Sequence, residues 1–175
     1  MRWAIWFYVL LAVGAWGYAA LFGDLRTLFG ERAPDAADTM RGVGIGIGIV
    51  VAYWGAHHQF QVVRRFTITL GAFLGPMTSI QACFLGLLSG FAEELTFRGA
   101  LWPDLGLWGT SLLFAALHIV PVRAAAGYPI FALLAGLLLG WLRESTGSVW
   151  PPIFAHVTIN TINLSVIGAM LKRDG

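Results

Sequence analysis

The stretch WAIWFYVLLAVGAWGYAALF, residues 3–22, runs for twenty residues without a charge. A helix of that length is about 30 Å long, the thickness of a bilayer's hydrocarbon core. A signal peptide is the competing reading, with Arg2 ahead of the run and the small pair Ala19-Ala20 near its end. The run is long for a signal peptide's apolar region, so an uncleaved membrane helix is expected. Composition points the same way. The 175 residues are 58% hydrophobic and 11% charged, with a mean hydropathy of +0.74. A soluble domain carries about 25% charge. Disorder is excluded, because it needs few apolar residues and many charges. An ordinary water-soluble domain is also disfavoured, since there is too little polar side chain to cover a wet surface. Lipid is the solvent that fits, and membrane lipid is the first expected partner.

Working outward, residues 23–41 hold Asp24, Glu31, Pro34, Asp35 and Asp38 and read as a polar loop. A second span is expected over 42–62. Its Gly42, Gly44, Gly46 and Gly48 form two overlapping small-xxx-small pairs that suit close helix packing. Arg64-Arg65 ends it. Residues 66–77 are apolar but broken by Gly75-Pro76, and read as an interfacial or kinked lead-in. Further spans are expected over 78–101, 107–120, 128–142 and 150–171. Pro151-Pro152 begin the last one, where a helix tolerates proline. The fold class is therefore all-α: a polytopic membrane protein of about six transmembrane helices around a buried polar site. It reads as one domain, with N-terminal helices and lead-in over 1–78 and a core over 79–172.

Two composition details bound the function. The net charge is +2 and no basic cluster exceeds Arg64-Arg65, so no nucleic-acid partner is expected. The single Cys83 excludes an intrachain disulfide, a CxxC pair and a thiolate zinc cage. Lying in an apolar run, it is expected to be a small buried packing residue.

Most charges fall in loops. The exceptions are Glu93, Glu94 and Arg98, joined by His118, His156 and Asn160 in later spans. Ionisable groups at membrane depth are costly and are functional candidates for that reason. At about 1.5 Å per residue, Glu93 lies roughly 13 Å below the face where the third span ends. Measured from that same face, His118 lies at roughly 18 Å, His156 at roughly 9 Å and Asn160 at roughly 15 Å. Three helices thus place their polar groups in one layer. Glu94 and Arg98 are i,i+4 and can pair on one face, while Glu93 is rotated by about 100° and can point elsewhere. His156 and Asn160 are also i,i+4, and Phe114 stands one turn before His118.

A carboxylate beside an imidazole in low dielectric can activate a water, and an amide or second imidazole can donate to a developing oxyanion. That set suffices for peptide hydrolysis. The same Glu93, His118 and His156 could hold zinc as a two-His, one-carboxylate site, although no HExxH helix is present. His57 and His58, near the end of the second span, read as interfacial.

Three patterns in these residues carry a family resemblance. Glu93-Glu94-Leu95-Thr96-Phe97-Arg98-Gly99 fits EExxxR with an FRG ending, Phe114–His118 fits FxxxH, and His156–Asn160 fits HxxxN. In order and spacing they resemble the CPBP family of intramembrane proteases, also called the CAAX-processing or Abi family. The resemblance covers about residues 80–171. It implies a glutamate-dependent, metal-free peptidase, with zinc as the alternative. By motif position, Glu93 would activate water with help from His118. His156 and Asn160 would steady water or oxyanion, and Glu94 and Arg98 would support the architecture. The implied partner is a membrane-anchored protein with a C-terminal tail, and the implied location is the bacterial cell (inner) membrane. The face bearing Arg2, Arg64, Arg65, Arg123, Lys172 and Arg173 is expected to be cytoplasmic, which puts the reactive layer nearer the opposite face. A proton pathway and a non-catalytic binding or immunity protein are the other classes to be weighed.

Overall fold

A computed structural model describes residues 2–25, 28–30, 32–120 and 126–173. Among the described residues it contains seven α-helices, one π-helical turn and no strand. The helices are α1 (Arg2–Phe22), α2 (Ala36–Gln59), α3 (Gln61–Leu74), α4 (Ser79–Glu94), α5 (Trp102–Leu117), α6 (Tyr128–Thr146) and α7 (Trp150–Arg173). The π-helical turn, Leu95–Ala100, continues α4. The protein is an all-α integral membrane protein, as expected.

Among the described residues three helices are long and apolar enough to cross a bilayer: residues 3–22, 36–59 and 150–171. A fourth crossing is available if α3 and α4 with its π-turn act as one bent span; they meet at 101°. This is fewer than the six expected. α5 has only 16 residues and is broken at Gly106, where φ is 58° and ψ is −165°. α6 carries Arg143 and Glu144 in its last turns, which lowers its apolarity. The bend between α3 and α4 sits at Gly75 (φ 73°) and Pro76, so the lead-in is kinked as its sequence suggests.

The loop expected over 23–41 is shorter than that. α2 already starts at Ala36, because Asp35 accepts the Asp38 backbone N–H at 2.8 Å and Asp38 accepts the Asp35 N–H at 3.3 Å. The second carboxylate of this reciprocal cap is fully buried and takes two hydrogen bonds from Arg32, at 2.7 and 2.8 Å. The Arg32 guanidinium and two backbone N–H groups hold the Asp35 carboxyl below its ordinary range, with the backbone bond to Asp38 the largest cause. Glu31 of the expected loop and Arg123 of the expected cytoplasmic face lie outside the described residues.

α7 is the hub. It packs against α2 and α4 most extensively, and also against α6 and α3. The close seams run through glycines. Gly86 and Gly90 of α4 abut Thr161 and Val157 of α7. Gly42 and Gly46 of α2 abut the 151–158 stretch of α7, whereas Gly44 and Gly48 face open space. Of the two glycine pairs in α2, one therefore packs. Large apolar residues such as Trp3 (88% exposed), Phe73 and Ile80 point outward, as lipid-facing residues do. Cys83 is among the exposed residues, contrary to the expectation of burial. In a membrane protein an apolar run covers the outside as readily as the core.

Candidate active site

The end of α4 delivers Glu93 and Glu94 to the protein interior, and the π-turn that follows delivers Arg98. In this turn the Leu101 N–H donates to the Thr96 carbonyl, five residues back, at 2.9 Å. Such wide turns recur at functional sites. The turn lies close against the chain beside it: a Cβ on Gly99 would stand 2.5 Å from the Leu28 carbonyl oxygen.

Glu94 and Arg98 are both fully buried. Arg98 Nη1 donates to Glu94 Oε1 at 2.9 Å, and Nη2 donates to the Gly136 carbonyl of α6 at 2.8 Å. The guanidinium also lies over the Phe114 ring, 5.1 Å from its centroid. Glu94 Oε1 takes a second bond, from His156 Nδ1 at 2.7 Å. One carboxylate oxygen thus joins α4, the π-turn and α7. Because Nδ1 carries the proton in that bond, the other nitrogen of a neutral His156 is an acceptor. That Nε2 stands 3.6 Å from Glu93 Oε2. This is too long for a direct hydrogen bond. Two facing lone-pair bearers repel, so a proton or a donating water belongs between them.

His118 follows the last residue of α5 as its cap. Its Nδ1 donates to the Phe114 carbonyl at 2.7 Å, which leaves Nε2 as the acceptor in the neutral ring. Phe114 lies between the two imidazoles, with its ring centroid 4.3 Å from that of His118 and 5.9 Å from that of His156. Asn160 Nδ2 donates to Ser89 Oγ at 2.9 Å, leaving one amide N–H and the carbonyl oxygen. A cavity of about 90 Å³ brings Glu93, His118, His156 and Asn160 together. The Oε2 atom of Glu93 is buried beside it and has no hydrogen-bond partner among the described residues.

The geometry divides the two neighbouring glutamates as their helical phase suggests: Glu94 pairs with Arg98, and Glu93 turns to the cavity. It also places His57 elsewhere. That ring is buried, not interfacial, and bonds Thr67 of α3 at 3.0 Å. Its burial follows from α3 folding back onto the end of α2. His57 does not line the cavity, so it provides no polar path away from it. Asn163 is a packing group, accepting from Trp54 Nε1 at 3.0 Å. Two residues of the cavity wall are unmarked in the sequence. Tyr8 of α1 and Tyr128 of α6 both line it, and Tyr128 meets the His118 ring edge-on at 5.2 Å. Both tyrosines lie in apolar stretches, where they read as ordinary membrane aromatics.

Among the described residues no three His, Cys, Asp or Glu side chains gather in an arrangement that could hold a metal ion. His156 and His118 each have one ring nitrogen committed, to Glu94 and to the Phe114 carbonyl.

Residues 75–162 match the family model described as Type II CAAX prenyl endopeptidase Rce1-like. Over 81 residues the chain is 42% identical to the uncharacterized protein YpbD of Bacillus subtilis (strain 168), covering 45% of this chain and 41% of that protein. Over 94 residues it is 35% identical to an undecaprenyl-diphosphatase of Desulfovibrio desulfuricans (strain ATCC 27774 / DSM 6949 / MB), covering 51% of this chain and 35% of that protein. The match therefore spans well under half the length of either relative. No solved structure matches.

Proposed function

The chain belongs to the Type II CAAX prenyl endopeptidase Rce1-like family, and from that premise we propose that it is an intramembrane endopeptidase that cuts the C-terminal tail of a membrane-anchored protein with a water activated by Glu93. The observation that carries this reading is the buried, unpartnered Glu93 Oε2 beside the cavity, 3.6 Å from His156 Nε2. A carboxylate oxygen so placed has room for a water at its lone pair.

In the proposed reaction Glu93 takes one proton from the water, and the oxygen adds to the carbonyl carbon of the scissile bond. His118 assists as a second acceptor. The oxyanion is steadied by the remaining Asn160 N–H and, when its Nε2 also carries a proton, by His156. The proton held by Glu93 then passes to the amide nitrogen as the C–N bond breaks, giving an amine and a carboxylic acid whose own proton is then lost to an acceptor such as His118. Glu94 and Arg98 do not meet substrate; they fix the His156 ring. The protein is proposed to be a multi-pass protein of the bacterial inner membrane, with the site nearer the extracytoplasmic face.

The reaction is proposed to need no cofactor. Extensive treatment of the purified protein with a metal chelator is expected to leave cleavage at the untreated rate; loss of cleavage that zinc restores would overturn this.

The second relative's name suggests diphosphate hydrolysis. An anionic diphosphate calls for cations at the cavity. The Arg98 of this layer is already engaged by Glu94 and by a carbonyl, and the cavity itself presents Glu93. The donor set suits a neutral amide better.

The test is paired proteomics of cell envelopes containing the wild type or Glu93→Gln at equal levels. Gln keeps the size and removes the base. A defined set of membrane proteins is expected to keep intact C-terminal tails in the variant only, and those tails name the substrate and its side of the membrane. Identical termini in the two strains would sink the peptidase reading and favour a binding or transport protein.

A further inference from the structure

The first helix does more than anchor the chain. Tyr8, Ala12, Ala15 and Ala19 share one face of α1, at helical spacing. Ala15 and Ala19 are buried in a cluster with Leu28, Leu95 and Ala100, with Ala12 packed against it. Three alanines on this face let α1 lie close to α4 and the π-turn. Tyr8 is the one polar residue among the four, and it lines the cavity that holds Glu93. A phenol O–H in a membrane interior seeks an acceptor. Glu93 lines the same cavity and supplies its carboxylate acceptor.

Glu93 needs such a partner. Its Oε2 has none, and His156 Nε2 is too far to bond it directly. Glu94 is fixed through its Oε1 by two donors, although its own Oε2 has no partner among the described residues. A general base must be kept in one orientation to present its lone pair to a water.

We propose that Tyr8 is the positioning residue of Glu93: its phenol O–H donates a hydrogen bond to the carboxylate and holds it toward the cavity. The proposal deepens the peptidase reading, and it extends the site beyond residues 75–162 of the family match to a helix near the N-terminus.

The test uses the full chain in lipid nanodiscs and two readouts. The first is infrared spectroscopy. The Glu93 carboxylate band is the one that disappears in Glu93→Gln. In Tyr8→Phe, which keeps the ring and removes the donor, that band is expected to move in frequency while thermal stability is unchanged. The second is kinetics on a tail identified by the envelope proteomics. Tyr8→Phe is expected to lower kcat by about ten- to a hundredfold with KM within about twofold. A purely structural Tyr8 would leave both the band and kcat untouched in Tyr8→Phe and show its effect only in Tyr8→Ala, through lost packing; that result overturns the proposal. The two readings fail separately. If no tail is cut, the peptidase assignment falls, and the infrared band still decides whether Tyr8 holds Glu93.

Discussion

Arg98→Ala is expected to leave little folded protein in the membrane. The guanidinium is fully buried and meets Glu94, the Gly136 carbonyl and the face of Phe114 at once. Its loss strands the Glu94 carboxylate in an apolar interior with His156 as its remaining partner. Breaking a buried ion pair from one side costs about 3–5 kcal/mol, because a charge is left without compensation. Glu94→Gln strands the opposite charge and should be comparably harmful. The double variant Glu94→Gln, Arg98→Met removes both charges, keeps an amide oxygen for His156 Nδ1, and fills similar volume. Its thermal midpoint in detergent is expected to recover most of what either single change loses. A double variant no better than the singles would show that hydrogen bonding to Gly136, rather than charge balance, dominates. Arg98→Lys is not a rescue, since an ammonium cannot serve two partners with the geometry of a planar fork.

Gly86→Ala should be almost as damaging, for a steric reason. A Cβ at that position would stand 2.6 Å from the backbone nitrogen of Thr161 and 2.7 Å from its Cα. Backbone cannot rotate out of the way as a side chain can, so α4 and α7 must part. Overpacking typically costs about 1–3 kcal/mol, and contact with a helix backbone belongs at or above the upper end. The same shift moves His156 and Asn160 away from Glu93, so catalysis should fall with stability. Gly90→Ala, with Val157 N at 2.7 Å, is expected to behave alike. Gly44→Ala and Gly48→Ala meet nothing within 4 Å and should be neutral or slightly stabilising, since alanine favours helix. Thermal midpoints of the four variants separate the two classes; equal midpoints would refute the packing assignment.

Much of this arrangement is legible in the sequence. Long uncharged runs announce membrane helices because lipid rewards nothing else. Glu94 and Arg98 pair because four residues bring side chains to one helix face, and Glu93 turns away for the same reason. The polar layer follows from counting helical rise along spans of alternating direction. What escapes such counting is long-range. Tyr8 is far from Glu93 along the chain, and nothing near it hints at a carboxylate. The pairing of Gly86 and Gly90 with α7 depends on which face of α4 meets α7. The start of α2 is hidden because its cap is made of two aspartates, which read as loop. His57 is buried only because α3 doubles back, and Cys83 is exposed because lipid hides the usual distinction between inside and outside. The span count fails where Gly106 interrupts α5 and where charges close α6.

The π-turn has a consequence for how such a chain can change over time. It holds more residues per turn than an α-helix, and the surplus lets Arg98 reach its partners while Gly99 slips past Leu28. One residue lost there would close the turn to ordinary pitch, rotate everything beyond it by about 100°, and turn Arg98 away from Glu94. One residue gained would rotate it in the opposite sense. Between helices, lengthening or shortening leaves the site where it is. Length variation among descendants of this sequence should therefore collect in the connections and stop at residues 93–100, where spacing itself is under selection.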